Sequence, residues 1–279
     1  MEQMLKNPLP ISVLMSVYHG EKPEYLRQAL QSIADQGCAP AEVVLVEDGQ
    51  IPDELATVID AYEASLPLVR LKFIKNRGLG PSLRDGLEAC AHEIVARMDS
   101  DDIARQSRFC LQYEYIEKNG IDLLGSFIEE FNSKPGDLGV VRSLPSQNEE
   151  ICSKLGRRNC FNHMTVMFRK SKVLAAGSYR DEPYFEDYGL WLRMRRQGSK
   201  FANMPEVHVD ARIGDGFVAR RSGLKYIKRE ILALSSFHQQ GLIGKRDFLF
   251  GIVVRTAVRT LPQKMFQQLY STVLRRRAN

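Results

Sequence analysis

Glu93-Ile94-Val95-Ala96-Arg97-Met98-Asp99-Ser100-Asp101-Asp102 passes from an apolar run into three carboxylates within four positions. Ile94 to Met98 reads as a buried strand that surfaces at Asp99. Carboxylates this close raise one another's pKa and cost free energy unless a cation sits among them. A hard divalent ion holding a phosphate is the simplest compensation. The competing account is that Asp99 or Asp102 caps a helix starting near Ile103, since Asp favours N-caps and first turns.

Outward from that turn, strand and helix alternate. Ile11–Val17, 42–46 and 68–74 have the β-branched, apolar content of interior strands. Helical spacing of apolar residues predicts helices over 24–36, 52–64 and 82–91. This order is the mark of a parallel sheet covered by helices on both faces. In such sheets ligands bind beyond the carboxyl ends of the strands. The turns at Val17-Tyr18-His19-Gly20-Glu21, Asp48, Asn76–Gly80 and Asp99–Asp102 all fall at that edge. There is no Gly-x-Gly-x-x-Gly after the first strand and no Gly-x-x-x-x-Gly-Lys-Ser/Thr, so neither a dinucleotide cofactor nor a P-loop nucleotide is indicated. Asp48 has the acceptors for a base N–H or a ribose hydroxyl, and Lys75, Arg77 and Arg84 have the charge to neutralise phosphate. Each of these, taken singly, is also an ordinary surface residue.

Composition bounds the rest. The chain has 279 residues, 44% of them hydrophobic, room for one large domain or two small ones. Met1 to Pro10 is polar and does not resemble a signal peptide, and no apolar run approaches the roughly 20 residues of a membrane span. A cytoplasmic protein is expected. The five cysteines are scattered, odd in number and lack Cys-x-x-Cys spacing, which predicts reduced thiols and no zinc site. The net charge of +5 conceals an asymmetry: residues 219–279 carry thirteen Lys or Arg against Glu230 and Asp247, a net of +11, leaving −6 for residues 1–218. A basic amphipathic terminus suggests an anionic surface.

Ser16-Val17-Tyr18, Val46-Glu47-Asp48-Gly49, Asn76-Arg77-Gly78-Leu79-Gly80 and Arg97-Met98-Asp99-Ser100-Asp101-Asp102-Ile103-Ala104 stand in the order and spacing of family 2 glycosyltransferases. The branch most resembled holds bacterial amylovoran, colanic-acid and O-antigen transferases, and the similarity runs from Pro10 to about Arg277. The resemblance implies a GT-A fold, a Rossmann-like mixed α/β sheet with helices on both faces, followed by a C-terminal basic amphipathic helical extension. The implied division is a catalytic domain over 1–218, with a donor half to about 104 and an acceptor half after it, and a membrane-associating extension over 219–279. It further implies an inverting transfer from a nucleotide-sugar, most plausibly a UDP-sugar, to a hydroxyl of a polyprenyl-diphosphate-linked saccharide.

Residue by residue, the resemblance implies nucleotide contacts at Val17, Tyr18, Glu21, Asp48, Asn76, Gly78, Arg84, Asp99 and Ser100, and Mn²⁺ or Mg²⁺ on Asp101. The family's run after Asn76 has Ala and Asn where this chain has Ser82 and Arg84. Glu186-Asp187 matches the family's Glu-Asp pair, with Asp187 as catalytic base; a helix amino end lowers the pKa of such a base. Capping of that helix is the simpler account of both acids. Trp191 and the neighbouring aromatics read as a buried stripe supporting this motif. His163, in Asn162-His163-Met164-Thr165, is expected in a hydrogen-bonded structural role, and Arg212 either meets the diphosphate or pairs with an acid.

The middle of the chain predicts a helix over 105–118, an edge strand over 122–131 and a hairpin over 201–209. Three helices, over 224–239, 247–260 and 263–276, follow. The first is expected to pack on the catalytic domain. The last two are expected to bind an anionic membrane on the cytoplasmic face; nucleic acid is not expected, because their aromatics form buried-type stripes. Two rival functions are a sugar-phosphate nucleotidyltransferase, which needs a Gly-rich basic loop absent after the first strand, and a non-catalytic glycan- or lipid-binding module.

Overall fold

The computed structural model describes residues 8–214, 223–259 and 276–277. Its first half is the alternation that apolar periodicity predicts: β1 (Leu9–Val17), α1 (Pro23–Ala34), β2 (Pro40–Glu47), α2 (Asp53–Tyr62), β3 (Leu68–Lys72), α3 (Leu79–Ala89) and β4 (Ile94–Asp99). β1 lies between β2 and β4 and runs parallel to both. Residues on both faces of β1 are sealed from solvent, Ile11, Val13 and Met15 on one and Leu14 on the other. The helices therefore cover the sheet on two sides, as continuous apolar strands require. Register sets Ser16 beside Val46 and Asp99, so the ends of β1, β2 and β4 share one edge.

After β4 the sheet becomes mixed. A short β5 (Ile103–Ala104) and α4 (Arg108–Asn119) lead to β6 (Leu123–Phe131), β7 (Val140–Arg142) and α5 (Asn148–Leu155). A 3₁₀ turn (His163–Thr165), β8 (Met167–Arg169), α6 (Lys170–Ala175), α7 (Glu186–Arg196) and β9 (Phe201–Arg212) follow. Then come α8 (Leu224–Gln239), α9 (Lys245–Arg259) and β10 (Arg276–Arg277). The strand order is β10-β7-β6-β8-β4-β1-β2-β3, with β9 bonded to β5 and β6.

Four expectations are corrected. β6 is interior to the sheet, bonded to β7, β8 and β9, because Leu123, Leu124, Ile128 and Phe131 are buried. Residues 201–212 form one long strand and no hairpin, since β6 offers a parallel partner to both ends of the segment, with register shifts around Pro205–Glu206 and His208. The acidic turn caps no helix: Ile103–Ala104 pairs with β9 and α4 starts only at Arg108. Cys38 and Cys110, 72 residues apart, are joined by a disulfide between the α1–β2 turn and α4. Folding brings them together without any motif spacing, while Cys90, Cys152 and Cys160 are free. Apart from Arg276, the helix expected over 263–276 lies outside the described residues.

Two apolar clusters fill the two sides of the sheet. One joins α1, α2 and α4 to the β1–β4 strands. The other gathers α3, α5 and α7 around Trp191 and includes Tyr226, Leu234, Phe237, Leu242 and Ile243 from the C-terminal segment. The seam between α3 and the segment entering α7 is tight: a Cβ on Gly80 would stand 2.2 Å from the Arg180 carbonyl oxygen and 3.4 Å from Glu186 Cβ. Gly80→Ala should therefore push these two elements apart, costing about 1–3 kcal/mol. Thermal unfolding checks this through a Tm fall of about 2–4 °C per kcal/mol for a chain of this size.

Candidate active site

The acidic turn is held by its neighbours before any ligand arrives. Carboxylate oxygens of Asp99, Asp101 and Asp102 lie within 4.8 Å of one another. Arg97, only 2% exposed, forms an ion pair with Asp99. Asp102 Oδ1 accepts the backbone N–H of Arg212 at 2.7 Å, while its Oδ2 is buried without a partner. The Arg212 guanidinium donates to the Asp101 carbonyl at 3.1 Å and to Gln28 Oε1 at 2.7 Å, lying over the rings of Tyr25 and Phe131. Arg212 thus clamps the backbone of the turn, and among the described residues its guanidinium pairs with no acid.

Burial, with the charges of Asp99 and Glu21, pushes Asp101 up to about 7. Burial and the charges of Asp101 and Asp99 raise Asp102 as well. Three crowded oxygen donors, one with an orphaned oxygen, fit a hard divalent cation.

The other nucleotide candidates cluster along the same edge. Ser100 Oγ donates to Glu21 Oε2 at 2.6 Å, tying the turn after β1 to the turn after β4. Asp48 accepts the backbone N–H groups of Arg77 at 2.8 Å and Gly78 at 3.0 Å, and Asn76 Nδ2 donates to the Asp48 carbonyl at 3.1 Å. Gly78 has φ +88, a conformation open to glycine, which lets both amides face one carboxylate. Val17 is buried and receives the Asp48 amide at 2.8 Å, whereas Tyr18 is exposed. Arg84 bonds to Asp85 on its own helix at 2.9 Å.

Beside this edge a cleft of about 340 Å³ is lined by Arg97, Asp99, Asn159, His163, Glu186 and Asp187, among others. The backbone enters α7 through Tyr184 at φ +72, a left-handed conformation that costs a non-glycine residue roughly 1–2 kcal/mol. The turn sets Glu186 and Asp187 in the first turn of the helix, at the cleft wall. Asp187 Oδ2 accepts from Asn159 Nδ2 at 2.6 Å, and its Oδ1 from the Tyr188 amide at 2.7 Å. Glu186 is buried, and burial with the Asp187 charge pushes it up to about 7.

His163 Nε2 meets the Tyr179 hydroxyl at 3.0 Å, and the His163 ring packs edge-on to Trp191. Burial holds its pKa well below the usual imidazole value, so it is neutral. Trp191 is sealed in the core beneath. Asp99 alone of the three acidic-turn carboxylates lines this cleft, so it links the strand-end edge to the wall carrying Asp187.

Sequence reasoning missed Asn159, Arg97 and the contribution of α8 and α9. Asn159 belongs to no recognisable motif. Arg97 stood in the quoted run, but only the fold reveals that its guanidinium is buried. Tyr226, Glu230 and Arg255 line the cleft from helices that amphipathicity marks only as packing or membrane segments.

Residues 12–177 match the family described as Glycosyl transferase family 2. The chain is 39% identical to the UDP-Gal:alpha-D-GlcNAc-diphosphoundecaprenol beta-1,3-galactosyltransferase of Escherichia coli, over 95% of this chain and 96% of that protein. It is 42% identical to the amylovoran biosynthesis glycosyltransferase AmsE of Erwinia amylovora, over 93% and 97% respectively. Among solved structures, S. aureus TarS 1-349 in complex with UDP-GlcNAc superposes with a TM-score of 0.64 at 15% identity, covering 94% of this chain and 73% of that one. The mannosyltransferase PcManGT of Pyrobaculum calidifontis, in complex with GDP-Man and Mn²⁺, gives 0.62 at 17% identity over 96% and 77%. The fold is GT-A.

A carboxyl whose pKa is raised holds its proton more tightly folded than unfolded. In cation-free protein, Asp101 therefore withdraws stability as pH rises from about 4, its ordinary value, towards about 7. A cation competes with that proton, so Mn²⁺ should raise Tm more at pH 8 than at pH 6. Asp101→Asn should lose most of the increment at pH 8, as differential scanning fluorimetry would record.

Proposed function

Since the chain belongs to glycosyl transferase family 2, we propose that it moves a sugar from a UDP-sugar to a hydroxyl of a lipid-linked glycan, inverting the anomeric carbon. One observation carries this reading: Asp99, from the acidic turn, and the Glu186–Asp187 pair line the same cleft. The choice of UDP and of a diphosphate-linked acceptor rests on the specificity carried in the name of the Escherichia coli relative. Biosynthesis of a bacterial surface polysaccharide is the corresponding role.

In the proposed reaction Asp187 accepts the proton of the acceptor hydroxyl as its oxygen attacks the anomeric carbon. The new glycosidic C–O bond forms on the face opposite the breaking bond to the nucleotide diphosphate, hence inversion. Asn159 and the Tyr188 amide orient the Asp187 carboxylate for this. Asp101 would be the principal ligand for Mn²⁺ or Mg²⁺, with Asp99 and Asp102 close enough to join it. Bound there, the cation would supply charge neutralisation for the departing diphosphate. Asp48 would receive the base or ribose, with Val17, Tyr18, Glu21, Asn76, Gly78 and Ser100 around it. Arg84, engaged with Asp85, would have to turn to reach phosphate.

We divide the chain into a catalytic domain over 1–218 and an extension over 219–279 that also completes the cleft. No helix among the described residues is long and apolar enough to cross a membrane. α9 nevertheless has two faces: Phe248 and Ile252 pack on the core, while Leu249, Phe250 and Val253 are 51%, 51% and 66% exposed. With Lys245 and Arg246 on the same helix, that outer face suits an anionic lipid surface. Attachment to the inner face of the cytoplasmic membrane would bring the cleft to a lipid-linked acceptor.

Asp187→Asn should retain UDP binding by calorimetry while transfer falls about 10²–10⁴-fold. Normal turnover would show that another group takes the proton. Phe250→Glu combined with Val253→Glu should weaken flotation with anionic vesicles while leaving the Tm near that of the parent. Unchanged flotation would remove α9 from the membrane contact.

A further inference from the structure

The cleft is acidic at one wall, where Glu186 and Asp187 stand, so an anionic group entering it is repelled there and must settle elsewhere. Three arginines line the cavity: Arg97 is ion-paired with Asp99, while Arg142 at the end of β7 and Arg255 on α9 lie elsewhere on the lining. The latter two are held differently. Arg255 donates to Glu230 and to the Arg157 carbonyl, each at 2.8 Å, and lies over the Tyr188 ring. Arg142 Nε is buried without a partner, and no carboxylate of the described residues pairs with its guanidinium.

A buried guanidinium nitrogen without an acceptor is destabilising, and a ligand anion removes that cost. On the side away from β6, β7 pairs with β10. β7 is also separated from β4 by β6 and β8, away from the strand ends that carry the proposed nucleotide site. An anion bound at Arg142 therefore belongs to the acceptor side of the cleft.

We propose that Arg142, with Arg255 as a second cation on the rim, binds a phosphate of a diphosphate-linked acceptor and so directs the acceptor hydroxyl towards Asp187. The planar guanidinium fork matches two phosphate oxygens at once, a geometry that an ammonium lacks. This deepens the transferase reading and rests on it. Selection for the phosphate would make Arg142 a specificity residue: an acceptor sugar without the diphosphate loses a charge-assisted contact and its orientation.

The test compares two probes by calorimetry, with UDP and Mn²⁺ present: hexyl N-acetylglucosaminyl diphosphate and the neutral hexyl N-acetylglucosaminide. The parent protein should bind the diphosphate probe about 10–100-fold more tightly. R142Q should lose most of that preference, R142K should keep part of it, and both should bind UDP with parental affinity. An R142Q protein that discriminates as the parent does, or a parent that treats the probes alike or binds neither, overturns the proposal. A loss of UDP affinity in R142Q also overturns it, by giving the guanidinium to the donor phosphates. Failure of the parent to bind UDP is a separate result that sinks the transferase reading and this site with it.

Discussion

Three carboxylates crowded at the end of β4 repel one another, and much of the surrounding architecture answers that repulsion. Arg97 is buried against Asp99, and Asp102 is held by the amide of Arg212, 110 residues further on. Arg212 also grips the Asp101 carbonyl from the end of β9. A buried carboxylate oxygen without a partner is destabilising by roughly 1–3 kcal/mol, so the turn is poised to gain free energy from a cation. The strand register contributes as well, because the pairing of β9 with β6 ends at Phe131 and Arg212 and so delivers Arg212 there.

The second constraint is the join between the two halves of the cleft. α3 carries the Asn76–Gly80 turn at its start, and its Gly80 lies against the Arg180 carbonyl and close to Glu186. The strand-end edge and the wall that carries Asp187 thus meet closely at a residue with no side chain. A displacement of either would be felt by the other, because a Cβ at position 80 would not fit between them.

The C-terminal helices serve two surfaces at once. α8 and the inner face of α9 belong to the Trp191 cluster and line the cleft through Tyr226, Glu230 and Arg255. The outer face of α9 leaves large apolar side chains in solvent. The cleft is thus finished by a helix whose other side is apolar.

Much of the first hundred residues was legible without coordinates. Interior parallel strands are near-continuous apolar runs, helices betray themselves by spacing, and the polar turns at strand ends are short and local. The acidic turn and the Glu186–Asp187 pair were visible for the same reason: their chemistry lies within four consecutive residues. The interior place of β6, the single long strand β9 and the Cys38–Cys110 bond were not, because each depends on a partner many residues away that no local pattern names. Asn159 holding Asp187, Arg97 sealed beneath Asp99 and Arg142 facing the cleft belong to the same class. Read in sequence, a lone arginine or asparagine is a surface residue; only burial, which is a property of the whole folded chain, turns its unmet hydrogen bonds and charge into a site.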